Sequence, residues 1–190
     1  MNFGPETSEA DSHSIMDRAH EHGINFFDTA NVYGWQQGEG ITEQIIGRWF
    51  AQGDGRREKT VIATKLYGAM SDWPNDAFLS ARNIRLACEA SLKRLQTDYI
   101  DLYQSHKDDP NTPFEETLSA YADLIRAGKV RAIGASNYSA ARLQEALHLS
   151  ARAGLPRYES LQPEYNLYDR AGFEAELEPL CRASGLGVIT

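Results

Sequence analysis

The chain has 190 residues, 42% of them hydrophobic, with 19 Lys and Arg against 27 Asp and Glu and a formal net charge of −8. That length suits one domain with ample material for a core, and the acidic balance excludes a general nucleic-acid binder, which needs a basic face. No apolar run approaches the about 18 residues of a membrane span, and the start carries neither the basic nor the apolar region of a signal peptide. In chain order, residues 8–22 form the first predicted helix, with Ser8 and Asp11 at capping-box spacing and Ile15, Met16 and Ala19 on one face. Residues 24–27 read as a buried strand that stops at Asp28, and Tyr33 follows in a loop closed by Gly34. The next helix, 41–51, turns Ile41, Ile45, Ile46 and Trp49 inward. Arg56, Arg57, Glu58 and Lys59 then read as a solvated loop before a strand over 60–65 that ends in Lys65. A helix over 81–95 spaces Ile84, Cys88, Leu92 and Leu95 helically, and the strand 99–106 ends in His106. Pro113 opens a helix that carries Leu118, Tyr121, Leu124 and Ile125 and stops at Gly128. A strand over 130–135, a helix over 140–153 and a short strand over 160–164 follow. The last helix, 173–183, is stopped by Gly185, and residues 186–190 begin another strand. Cys88 and Cys181, the only two cysteines, fall in amphipathic helical segments, so they read as buried thiols in a reducing cytoplasm.

Regular alternation of helix and strand implies parallel pairing with right-handed crossovers. No Gly-x-Gly-x-x-Gly follows the first strand, which disfavours a doubly wound dinucleotide-binding sheet. The ionisable residues cluster at the carboxyl ends of strands, where a (β/α)8 barrel carries its active site. The expected fold is therefore α/β, a (β/α)8 TIM barrel that is incomplete. Residues 1–190 are read as a single barrel domain with six to seven of the eight strands, Met1 to Gly4 being a candidate remnant of the extra one. It lacks the start of the first strand and everything after the seventh. A sheet short of a strand exposes edges, so association or aggregation is expected of such a chain.

Asp28, Tyr33, Lys65 and His106 together supply what proton transfer requires: a phenol, two cationic or hydrogen-bonding neighbours and a carboxylate to hold them. Singly, each has a plainer reading. Asp28 reads also as a loop cap, Tyr33 as a rim aromatic, Lys65 as a strand-end charge and His106 as a turn cap. Their common position at the ends of three strands argues for chemistry. Trp35 and Tyr67 lie on the same face as candidate substrate-pocket residues, while Trp73 and Phe114 read equally as packing. No metal site is expected, because His20 and His22 are two residues apart and face different ways.

The most specific segment is Phe27-Asp28-Thr29-Ala30-Asn31-Val32-Tyr33-Gly34. With Ala63-Thr64-Lys65, Ser91-Leu92-Lys93-Arg94-Leu95-Gln96-Thr97-Asp98-Tyr99-Ile100-Asp101-Leu102 and Gly128-Lys129-Val130-Arg131-Ala132-Ile133-Gly134-Ala135-Ser136-Asn137, it resembles the aldo-keto reductases. The likeness is to the branch with potassium-channel beta subunits and related bacterial reductases, and it runs nearly end to end. It implies NAD(P)H-dependent reduction of an aldehyde or ketone to an alcohol. NADPH/NADP is the implied cofactor, with NAD left open because the segment that grips the adenosine phosphates is expected beyond Thr190. By the same resemblance Tyr33 protonates the carbonyl oxygen, Lys65 tunes it, Asp28 holds Lys65 and His106 orients the carbonyl. Ser136, Asn137 and Gln162 would bind the nicotinamide carboxamide. The alternative is a regulatory or binding protein, or an inactive fragment, on the same scaffold. The channel subunits carry asparagine where this chain has His106, which favours the reductase.

Overall fold

A computed structural model of the chain describes residues 2–34 and 37–190. The strands are β1 (Phe26–Asp28), β2 (Val61–Leu66), β3 (Ile100–Ser105), β4 (Val130–Ser136), β5 (Tyr158–Gln162) and β6 (Gly187–Val188). They alternate with helices α1 (Glu9–Glu21), α2 (Ile41–Phe50), α3 (Arg56–Lys59), α4 (Ala81–Leu95), α5 (Phe114–Arg126), α6 (Ala140–Ala153) and α7 (Glu178–Ser184). Serine starts three of the helices: Ser8, Ser80 and Ser139 each accept from the backbone N–H three residues on, satisfying a donor that the first turn leaves free. The last expected helix is divided. Residues Phe173–Leu177 form a π-helical turn before α7, because Pro179 has no N–H to continue the α ladder.

All six strands are parallel and pair in chain order, β1 through β6. β2 and β3 are buried along nearly their whole length, as parallel strands covered on both faces must be. The sheet curls. Asp28 on β1 and Gln162 on β5 are bonded at 3.1 Å, whereas four strand spacings would hold them about 19 Å apart in a flat sheet. The result is a half-barrel with helices outside, an incomplete (β/α)8 barrel. Helices α2 and α4 lock together at its outer surface through Gly47, where a Cβ would overlap the Arg94 carbonyl. Buried Glu43 completes that joint by accepting from Arg94 Nε at 2.7 Å and from Thr64 Oγ1 at 2.5 Å.

Three local expectations are corrected. The strand ending at Asp28 is not buried: Ile24 and Phe26 are 59% and 41% exposed. Among the described residues β1 pairs with β2 alone, and its outer side opens into an apolar groove of about 440 Å³ with Phe3, Ile15, Met16 and Phe27 among its walls. Residues 2–7 form a turn rather than a strand remnant, closed by Thr7 N–H to Asn2 O and Gly4 N–H to Thr7 O. Further bonds tie them to α1 and α2, from Ser12 Oγ to Thr7 O and from Thr42 Oγ1 to Phe3 O; Met1 lies outside the described residues. The basic cluster is the one-turn helix α3, and its Arg57 is only 8% exposed. Arg57 donates to Thr97 Oγ1, Thr60 O, Tyr99 O and Asp101 Oδ2, and a guanidinium saturated in this way tolerates burial.

Cys88 and Cys181 are free and buried, and burial pushes the Cys88 thiol up to about 12. Among the described residues no helix is long and apolar enough to cross a membrane, and no group of three or more His, Cys, Asp or Glu is arranged to hold a metal ion.

Candidate active site

Parallel register brings the strand-end residues together. Asp28 pairs with Ala63, and Lys65, two residues further along β2, points to the same inner face. The Lys65 side chain reaches across: Nζ donates to Asp28 Oδ2 at 2.6 Å and to Thr29 O at 2.9 Å. With the residue 1% exposed, water cannot substitute for those partners. The loop after β1 folds back over the pair, tied by Asn31 N–H to Lys65 O, and sets the Tyr33 ring centroid 5.1 Å from Lys65 Nζ. His106 directly follows β3, its N–H bonded to Leu66 O, and its ring meets Tyr33 edge-on at 5.8 Å. Behind it, Ser105 faces outward and bonds the hydroxyls of Tyr121 and Tyr158, which anchors the strand end that carries His106. All four residues expected from the sequence meet.

The electrostatics refine one expectation. Burial raises the Tyr33 phenol, and the nearby Asp28 carboxylate raises it further. The acidifying influence expected from Lys65 does not prevail, because its ammonium is engaged by Asp28. Burial lowers Lys65 from its usual value, with Asp28 pulling the other way. His106 is lowered to about 4 by burial first and by the Lys65 charge second, so its imidazole is neutral near pH 7. The phenol is therefore held protonated, beside a neutral imidazole that has an N–H to give.

Ser136 ends β4 and Asn137 follows it, beside Gln162 at the end of β5. Ser136 Oγ and Asn137 N–H both donate to Gln162 O. Asn137 adopts a left-handed backbone, φ 57°, and its Nδ2 donates to His106 O at 3.0 Å. One hydroxyl and two amides thus gather next to His106 and Asp28. This donor and acceptor set suits a primary carboxamide, which offers one N–H₂ and one C=O. The Gln162 amide lies deeper than expected, with Nε2 on Asp28 Oδ2 and Oε1 accepting from Gln104 Nε2 at 3.2 Å. Gln104 is the site residue that sequence reasoning missed. Its signal was available: a glutamine inside a buried strand, two residues before His106 and so on the same face.

The pocket candidates divide. Tyr67 stands past the end of β2, paired edge-on with Phe78 at 5.3 Å, and burial raises its phenol. Trp35 lies outside the described residues. Trp73 is exposed, while Phe114 is buried core, stacked with Tyr138 and covered by the Arg142 guanidinium.

Comparison with known proteins agrees with this architecture. The aldo/keto reductase family model matches residues 1–190. The chain is 48% identical over 197 residues to the uncharacterized oxidoreductase YrpG of Bacillus subtilis (strain 168), covering 100% of this chain and 59% of that protein. It is 37% identical over 213 residues to protein tas of Escherichia coli (strain K12), covering 100% of this chain and 61% of that one. A probable voltage-gated potassium channel subunit beta of Arabidopsis thaliana is 36% identical over 190 residues, covering 100% of this chain and 56% of that protein. The chain thus spans less than two thirds of the length of these relatives. On the matched family model, the strand order and these identities, the chain belongs to the aldo/keto reductase family.

Proposed function

We propose that the protein reduces an aldehyde or ketone to an alcohol, with NADPH as the hydride donor and Tyr33 as the proton donor, in the cytoplasm. The observation that carries this reading is the buried Lys65 clamped to Asp28 at 2.6 Å beneath Tyr33, with His106 edge-on to the same phenol. When bound, the nicotinamide supplies hydride. Ser136, Asn137 and Gln162 would hold its carboxamide. Tyr33 hands its hydroxyl proton to the carbonyl oxygen as negative charge develops there. Lys65, held by Asp28, keeps positive charge beside the phenolate that remains. Neutral His106 donates a second hydrogen bond to the same oxygen and fixes its position. Residues 1–190 form part of one barrel domain, and Tyr67, with Trp35, borders the substrate.

The test is Tyr33→Phe in the full-length protein, which keeps the ring and removes the proton. General acid catalysis contributes about 10² to 10⁴ in rate, so turnover of a nitrobenzaldehyde is expected to fall by that factor. NADPH affinity by fluorescence titration should stay nearly unchanged. Retention of most activity by a folded Tyr33→Phe protein would refute the assignment.

A further inference from the structure

Gln104 is 0% exposed in the middle of a buried strand, a place where an apolar side chain of similar volume would fill the space without a desolvation cost. Its bonds are specific. Nε2 donates to Asp28 Oδ1 at 3.1 Å and to Gln162 Oε1 at 3.2 Å, while Gln162 Nε2 donates to Asp28 Oδ2 at 3.1 Å. Three side chains from β1, β3 and β5 close a triangle, one interior layer built from alternate strands. The orientation of both amides is forced. An ionised carboxylate only accepts, so each glutamine turns its nitrogen toward Asp28. The consequence is that Gln104 Oε1 is left buried without a partner.

The strand between them is shaped for this reach. Gly134 on β4 is the register neighbour of both Gln104 and Ser160. A Cβ at 134 would lie 3.1 Å from Gln104 Cγ and Oε1 and 2.5 Å from Ser160 Oγ. Its φ is not positive, so space and not backbone conformation calls for glycine. The register also shifts between Ile133 and Gly134, a bulge of the kind that re-aims side chains beside functional sites.

We propose that Gln104 is a positioning residue that clamps the Asp28 carboxylate to the Gln162 amide, so that one buried side chain sets both the proton-transfer group and the amide facing the nicotinamide. This rests on the reductase reading above. Asp28 receives Lys65 on Oδ2 and Gln104 on Oδ1; without Gln104 the carboxylate is free to rotate, and Lys65 and Gln162 lose their common reference. The titratable groups around the clamp are Asp28 and Tyr33 from β1 and its loop, Lys65 from β2 and His106 from the end of β3. β4 and β5 contribute Gly134, Ser160 and Gln162, which do not titrate.

The experiment compares Gln104→Leu with Gln104→Glu in the full-length protein. A second carboxyl beside Asp28 holds its proton to unusually high pH; protonated, it donates to Asp28 in place of the amide, and ionised, it repels it. Gln104→Leu is expected to lower kcat roughly 10-fold to 100-fold at every pH, the size of one lost hydrogen bond to a charged group. Gln104→Glu should approach wild-type kcat at the acidic end and descend to the Gln104→Leu level as pH rises, with KM raised for NADPH and not for the aldehyde. Gly134→Ala, which presses on the same amide without adding charge, should also lower kcat and raise KM for NADPH. Variants that keep the wild-type pH profile and differ only in melting temperature would overturn the proposal and leave Gln104 a core filler. Titration of the Lys65 ammonium by NMR separates this from failure of the reductase reading. A downward shift of Lys65 in Gln104→Leu, which adds no charge and only frees the Asp28 carboxylate, supports the clamp even in a protein that turns over no carbonyl, and an unmoved Lys65 contradicts it.

Discussion

At the amino-terminal end of the sheet, Arg57 and Arg131 both pair with Asp101 at 2.9 Å and lie on either side of the Tyr99 ring, 3.8 and 3.9 Å from its centroid. At the carboxyl end, Lys65 and Asp28 pair at 2.6 Å beside Tyr33 and His106. Each end buries one cation, Arg57 at the base and Lys65 at the rim, and the two are completed differently. Asp101 also accepts from Ile62 N–H, and Arg57 makes four hydrogen bonds. Among the described residues, the buried side-chain atoms without a partner include Thr29 Oγ1, Asn31 Oδ1, Gln104 Oε1 and Ser160 Oγ, and none belongs to the Arg57–Asp101 network. A saturated ion network holds a fold together; an incompletely matched one keeps the capacity to bind and to move a proton. This division follows the general behaviour of barrels, with stability at one face and chemistry at the other.

The comparison is broken most forcefully at its base. Asp101→Asn leaves the buried Arg57 short of its ionic partner, and loss of one member of a buried pair costs about 3–5 kcal/mol, while the exposed Arg131 adds little. Urea denaturation should report a loss of that size. Asp28→Asn should cost less, under about 2 kcal/mol, because a buried lysine left unpaired can give up its proton whereas a guanidinium cannot, and burial already lowers Lys65. Equal losses in the two variants would erase the distinction.

The effect confined to the narrowest conditions is on pH dependence. His106 sits at about 4 in the fold against about 6.5 when unfolded. Between those values the unfolded chain binds a proton that the fold refuses, so stability is intact above about 6.5 and declines as pH falls toward 4. His106→Asn should flatten the stability curve in that window. A slope unchanged from wild type would place the acid sensitivity elsewhere.

Much of this architecture was legible in the residues, and the failures share a cause. Asp28, Lys65 and His106 could be read because a strand shows where it ends, and parallel strands bring their ends to one rim. Burial could not be read where it depends on a neighbour distant in sequence. Residues 24–27 have the composition of a core strand, yet β1 has a partner on one side only and Phe26 is exposed. Arg57 has the composition of a solvated loop, but Asp101, 44 residues further on, receives it. Gln104 was marked by its place in a buried strand two residues before His106, but its partners Asp28 and Gln162 lie 76 and 58 residues away. Register supplies these meetings, and no local pattern encodes them.

On the proposed function, charge at the carboxyl rim serves proton transfer while charge at the base serves the fold. Carbonyl turnover per folded molecule in Asp28→Asn beside Asp101→Asn, both in the full-length protein, separates the two roles. Asp28→Asn is expected to lose about 100-fold or more, within the range for disabling acid catalysis, while Asp101→Asn, although less stable, turns over at the wild-type rate. Wild-type turnover in Asp28→Asn, or an equal loss in both, would contradict that division.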